Sequence, residues 1–215
     1  MSKRSSRKTV RFEFHPLTRE RWTDFVALFG PRGACGGCWC MAWRLARKDF
    51  DRGKGAGNRL AMQTLVEAGE SPGILAYRDG RPIGWCAVAP REAYAALARS
   101  RVLAAVDKTP VWSVTCFFVA KDFRRQGVTV KLLRAVVDFV RERGGRVVEG
   151  YPVEPYADEM PAAFAWTGLA AAFKQAGFQE CARRSKTRPI MRFELRPRRG
   201  QSGKSAALPA RRTKR

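Results

Sequence analysis

The chain has 215 residues, 45% of them hydrophobic, and a formal net charge of +23. That length and apolar content suit one good-sized globular domain and exclude a wholly disordered chain. The charge is uneven: residues 1–11 carry five basic side chains and residues 196–215 carry eight, with no acid in either, which leaves an excess of ten for the body.

Both tails are rich in small residues and show no apolar period, so they cannot repay their ordering entropy. Disordered basic tails are therefore expected at 1–9 and 196–215, flanking one domain at 10–195. Such tails attract polyanions by counterion release, so non-specific nucleic-acid binding is an expected partner property. Solubility alone also explains them. The basic amino terminus is not followed by the apolar segment of a secretory signal. No apolar run approaches the roughly 18 residues of a membrane span. A soluble cytoplasmic protein with no membrane partner is expected, and its six cysteines are expected as thiols.

In chain order, Val10 to His15 alternates as a half-buried strand. Trp22, Phe25, Val26 and Phe29 place an amphipathic helix over 18–29, stopped by Gly30-Pro31. The loop GPRGACGGCWC follows, then a polar, glycine-rich stretch and a second helix over 58–68. Strands at 73–77 and 83–88 flank Asp79-Gly80, a hairpin turn signal. A short helix is read over 91–99, a strand over 112–119, and a helix from Gly127 to about 143. The stretch RVVEGY (146–151) is a strand. Ala165, Leu169, Ala172, Phe173 and Ala176 mark a last helix, ended by Gly177. Strands at 178–181 and 190–195 complete the chain.

The segment 112–133 carries the chemistry. A strand runs into a turn bearing Lys121, Arg124 and Arg125, and Gly127 opens a helix whose apolar stripe is Val128, Leu132, Leu133, Val136 and Val140. The first amides of a helix have no internal partner, and the helix dipole is positive there. A glycine at that point lets a phosphate approach the backbone. Neither the Walker loop nor the GxGxxG fingerprint is present.

This stretch resembles the acyl-CoA signature of the GCN5-related N-acetyltransferases (GNAT superfamily), Q/R-x-x-G-x-G/A between a strand and a helix. Here it stands as Arg124, Arg125, Gln126, Gly127, Val128, Thr129, departing at Thr129. The segments CWCMAWR, PGILAYRDGRPIGWCAV and RVVEGYPVEP are similar to a bacterial-type branch of that superfamily. The order β-α-α-β-β-(α)-β-α-β-α-β-β is similar to its α/β (α+β) fold, a mixed, mostly antiparallel sheet with helices on both faces.

The resemblance implies an acyltransferase using acetyl-CoA as donor, with an unidentified primary amine as acceptor. The pyrophosphate would rest on the amides from Gln126 to Val130, with charge from Arg124 or Arg125. The strand end Phe117, Phe118 and Val119 would pair with pantetheine and offer an N–H to the thioester oxygen. The family's Asn and Tyr, on the helix that ends in Gly-Phe, are replaced here by Trp166 and Phe173, so the usual general acid is absent. An alternative is a nucleic-acid-binding or interaction module on the same fold with little transferase activity.

The amine must lose a proton, and Glu149 is the candidate base. It lies among valines in a strand, where desolvation raises a carboxyl. Tyr151, two residues on, is the candidate acid toward the departing thiolate. The cluster Cys35-x-x-Cys38-x-Cys40 is half a zinc site with no second half in sequence. Walling the acceptor pocket together with Trp39, Met41 and Trp43, or simple packing, fits it as well. No metal site is assigned. Trp39, Trp43, Trp85, Trp112 and Trp166 hint at an apolar or planar acceptor.

Overall fold

Asp79 and Gly80 both adopt left-handed backbone, at φ 49° and 79°. That pair of conformations suits a two-residue turn whose twist matches its strands. It joins β2 (Gly73–Arg78) to β3 (Arg81–Pro90) in the centre of a seven-stranded sheet. The computed structural model describes residues 11–155 and 165–196. The expected tails lie outside them except Arg196.

The remaining strands are β1 (Phe12–Pro16), β4 (Trp112–Val119), β5 (Val147–Gly150), β6 (Gln179–Arg183) and β7 (Pro189–Glu194). Their order is β1-β2-β3-β4-β5-β7-β6. Among the strands of the described residues, only β4 and β5 pair in parallel. The sheet is thus mixed and mostly antiparallel, as the sequence implied.

Helix α5 (Val128–Glu142), of the six α-helices described, covers one face. Val128, Leu132, Leu133, Val136 and Val140 are all buried there against Ile74, Ile83, Val114 and Val148. Their spacing of three and four residues forms one stripe, so burying it drives both the helix and its docking. The other face carries α1 (Trp22–Phe29) and α3 (Ala56–Glu67). Phe25, Phe29, Trp39, Met62, Leu75 and Trp85 form its core. A smaller cluster of Tyr94, Leu97, Leu103, Tyr151 and Ile190 lies under the 91–106 segment, which contains α4 (Ala95–Ala98).

Three local differences from the sequence reading have physical causes. A short helix α2 (Arg47–Arg52) forms in the polar stretch, where Arg47 pairs with Asp51 one turn on and Phe50 packs inward. The last helix, α6 (Ala170–Gln175), starts later than 165 because Gly168 is left-handed at φ 87°. The segment 91–99 breaks at Tyr94 into a 3-10 turn and α4.

Candidate active site

β4 and β5 pair only over Trp112–Val114 and Val148–Gly150. β4 continues to Val119 without its parallel partner, so its backbone there faces a gap. A cleft of about 840 Å³ follows that strand end. It is bordered by Phe117, Phe118 and Val119, and by Arg124 and Thr129 at the basic turn. Cys35, Cys38, Cys40 and Cys116, with Trp43 and Trp166, also border it.

The basic turn has a backbone geometry that could cradle an anion. After a 3-10 turn at Lys121–Phe123, Arg125 and Gly127 both take left-handed backbone, at φ 59° and 72°. Arg124 Nε donates to the Val119 carbonyl at 3.0 Å, and Gln126 Nε2 to the Asp122 carbonyl at 2.8 Å. Arg78 braces Gln126 from β2 at 3.1 Å. The first bond of α5 runs from the Lys131 N–H to the Gly127 carbonyl at 3.2 Å, and no side chain caps the helix. The amides of Val128, Thr129 and Val130 therefore stay available among the described residues. The Val128 and Val130 side chains are buried, so these residues offer backbone only, whereas Thr129 borders the cleft. A Cβ added at Gly127 would meet nothing within 4 Å, so the space before these amides is open.

The Phe117 amide, one of the strand-end groups Phe117 to Val119 expected to offer an N–H to the thioester oxygen, already has a partner. It donates to the Trp166 carbonyl at 2.6 Å. Val153 holds the same segment from the other side. Its N–H donates to Gly168 O at 2.8 Å, and its carbonyl accepts the Ala170 N–H at 3.0 Å. The Trp166 indole stacks on Trp43 at 5.7 Å. The segment 165–169 thus lies in the gap between the strands, a placement that the helical spacing of its residues did not signal. Phe173 is fully buried, edge-on to Phe117 and Phe178, so it is a core residue.

Glu149 and Tyr151 are brought together, but not into the cleft. Glu149 is 0% exposed. Its Oε1 accepts from Arg91 at 3.2 Å and from the Tyr151 hydroxyl at 2.7 Å, and its Oε2 accepts from Arg192 at 2.8 Å. Tyr151 also bonds Ser113 at 2.8 Å and accepts from Arg91 at 2.6 Å. Arg91 reaches on to the Leu103 carbonyl at 2.7 Å, tying down the 91–106 segment. Burial first, and then the Glu149 charge, push the Tyr151 phenol well above its usual range. A phenol held so firmly protonated is a weak proton donor.

The cysteine loop is tightly specified. A Cβ at Gly33 would strike the Trp39 indole at 2.3 Å, and one at Gly37 the Gly55 backbone at 2.4 Å. Buried Asn58 donates to the carbonyls of Gly37 and Phe50, each at 3.2 Å. Trp39 and Cys40 sit at φ 40° and 62°. Among the described residues, no group of three or more His, Cys, Asp or Glu side chains is arranged to hold a metal ion.

Residues 39–155 match the acetyltransferase (GNAT) family model, more than half of the chain. An acetyltransferase of the GNAT family from Streptococcus agalactiae is similar in fold. Its TM-score is 0.52 at 12% identity, over 86% of this chain and 96% of its own. An aminoglycoside N-acetyltransferase in complex with CoA gives a TM-score of 0.50 at 17% identity, over 82% of this chain and 93% of its own. No curated protein matches the sequence. The basic turn, the opened strand pair and the family match together define the class: the chain belongs to the GNAT acetyltransferase family. Members of that family use acetyl-CoA as acyl donor. No helix among the described residues is long and apolar enough to cross a membrane.

Proposed function

We propose that this chain is an acetyl-CoA-dependent N-acetyltransferase that delivers the acetyl group to a primary amine by direct attack on the thioester. The observation that carries the reading is the open anion cradle of Arg125, Gly127 and the first amides of α5 at one end of a cleft. In this reading the pyrophosphate rests on the amides of Gln126 to Val130, and Arg124 and Arg125 add charge. The pantetheine arm follows Phe117 to Val119. The acetyl carbonyl takes over the Phe117 N–H from Trp166, and that amide then stabilises the developing oxyanion. Positioning the amine against a reactive thioester supplies much of the rate. The aromatic wall of Trp43, Trp166 and Phe118 favours an amine on an apolar or planar body.

Glu149 and Tyr151 enter as anchors that fix β5 and the 91–106 segment. Their catalytic alternative has its own test, the pH–rate profile of Glu149→Gln. Calorimetry with acetyl-CoA tests the donor. A screen of acetyl-CoA consumption over a broad amine panel, read by mass spectrometry, finds the acceptor. A protein that binds DNA or RNA but gives no acetyl-CoA signal would instead support an interaction module, with the basic tails as its contacts.

A further inference from the structure

Acetyl transfer gives the cysteine loop no task, yet its backbone holds two thiols close together beside the cleft. Cys35, Gly36, Gly37 and Cys38 form a tight turn, closed by the Cys38 N–H donating to the Cys35 carbonyl at 3.2 Å. Gly36 sits at φ 58° and ψ 32°, and Gly37 at φ 70°. Left-handed backbone at both central positions marks a type I′ turn, which two glycines adopt without strain. The turn is braced from outside. The Gly37 carbonyl accepts from the Gly55 N–H at 3.0 Å as well as from Asn58, and the Gly37 N–H donates to the Arg32 carbonyl at 2.9 Å. The end residues of such a turn have Cα atoms less than about 7 Å apart. A disulfide needs about 4.4–6.8 Å, so cross-linking Cys35 to Cys38 asks for side-chain rotation and no change of fold. The Cys38 thiol is held only by a long bond to the Gly33 carbonyl, at 3.7 Å. Both thiols border the cleft, Cys35 exposed and Cys38 half-buried. Cys40, Cys86 and Cys116 are buried, and the Cys40 sulfur is taken up by the Trp85 indole N–H at 3.1 Å.

We propose that Cys35 and Cys38 are a reversible oxidation site on the cleft wall: a hydroperoxide oxidises Cys35, Cys38 resolves it to a disulfide, and the cross-link slows acetyl transfer. The disulfide stands on the turn alone, and its effect on rate rests on the acetyl-transfer reading. The Cys35 thiolate attacks the peroxide O–O bond, giving a sulfenic acid and releasing an alcohol, or water where the oxidant is hydrogen peroxide. The Cys38 sulfur then displaces the sulfenic hydroxyl, which leaves as water with the Cys38 proton. Two thiols have lost two electrons and two protons, and the peroxide has been reduced by the same two electrons. A reducing thiol reverses the step by exchange and ends as its own disulfide.

Exposure sets the order of the two cysteines. Cys35 meets the oxidant first, whereas Cys38 is partly shielded and burial pushes its thiol up. An accessible cysteine beside a shielded one that can resolve it is the arrangement of a thiol oxidation site. The loop borders the cleft together with Trp43 and Phe50, while Arg124 and Thr129 of the basic turn border it from a separate segment. A cross-link in the loop therefore alters where the amine sits and leaves the phosphate cradle as it is.

The test treats the reduced full-length protein with hydrogen peroxide, stops the reaction with catalase, alkylates with iodoacetamide and maps every cysteine by mass spectrometry. A Cys35–Cys38 disulfide should form within one chain and disappear with dithiothreitol, while exposed Cys181 stays open to alkylation. Cys38→Ser should stop at a Cys35 sulfenic acid that dimedone traps, and Cys35→Ser should leave Cys38 a thiol. No cross-link, a cross-link to another cysteine, or oxidation of Cys181 ahead of Cys35 would each overturn the site and leave acetyl transfer standing. With any amine the wild type acetylates, the oxidised protein should turn over at least about fivefold more slowly, bind acetyl-CoA as before, and recover with dithiothreitol. Cys35→Ser should lose this response to peroxide, and Cys181→Ser should keep it. A cross-linked protein with an unchanged rate would overturn the control of transfer. Absence of donor binding by the reduced protein would overturn acetyl transfer itself, and the mass spectrum would still decide the disulfide.

Discussion

Gly127 meets two demands that only glycine satisfies together. Its φ of 72° is strained for any side chain, and the empty space around its missing Cβ is where the proposed pyrophosphate would approach. The sequence shows this because a glycine between a basic turn and an apolar helical stripe has a specific physical use. Glu149 was legible only by half. Its place among the valines of a strand was readable, but nothing local reveals that Arg91 and Arg192 converge on it from distant segments. Removing one member of such a buried network leaves charge uncompensated, so Glu149→Ala should cost about 3–5 kcal/mol in denaturant unfolding. Glu149→Gln should leave the shape of the pH–rate profile unchanged, and a lost limb would return the base role to Glu149. Asp107 gives a stability signature. The Arg192 guanidinium, at 2.6 Å, and then the Thr109 amide hold its carboxyl well below the usual range. A depressed carboxyl adds stability above its unfolded value of about 3.9 and loses it as the pH falls toward the folded one. Melting of Asp107→Asn should therefore fall less steeply than wild type below about pH 4.

At the scale of elements, α5 and the β2–β3 hairpin were readable because period and turn chemistry are local. The start of the last helix was not. Its apolar spacing continues through 165–169, but Gly168 packs so closely that a Cβ would meet Phe173 at 2.8 Å and Phe117 at 2.9 Å. The chain there bridges β4 and the stretch after β5 instead of coiling. That bridge has a measurable consequence. If the acetyl carbonyl displaces Trp166 from the Phe117 amide, acetyl-CoA should speed hydrogen exchange across 165–170 while α5 becomes more protected. Unchanged exchange in 165–170 would place the thioester elsewhere.

For the whole molecule, sheet order is what makes the site. A single parallel pair inside an antiparallel sheet opens where β5 stops. The gap faces the helix start on one side and the cysteine loop on the other. The body's positive excess suits an anionic donor, and the turn concentrates part of it at one end of the cleft. The most direct test is calorimetry of acetyl-CoA binding to wild type and Gly127→Trp, with thermal melting as a control for folding. Wild type should bind, and the variant should melt normally while binding at least about a hundredfold more weakly, a difference of roughly 2.7 kcal/mol. No binding by the wild type, or equal binding by a folded Gly127→Trp, would contradict the account.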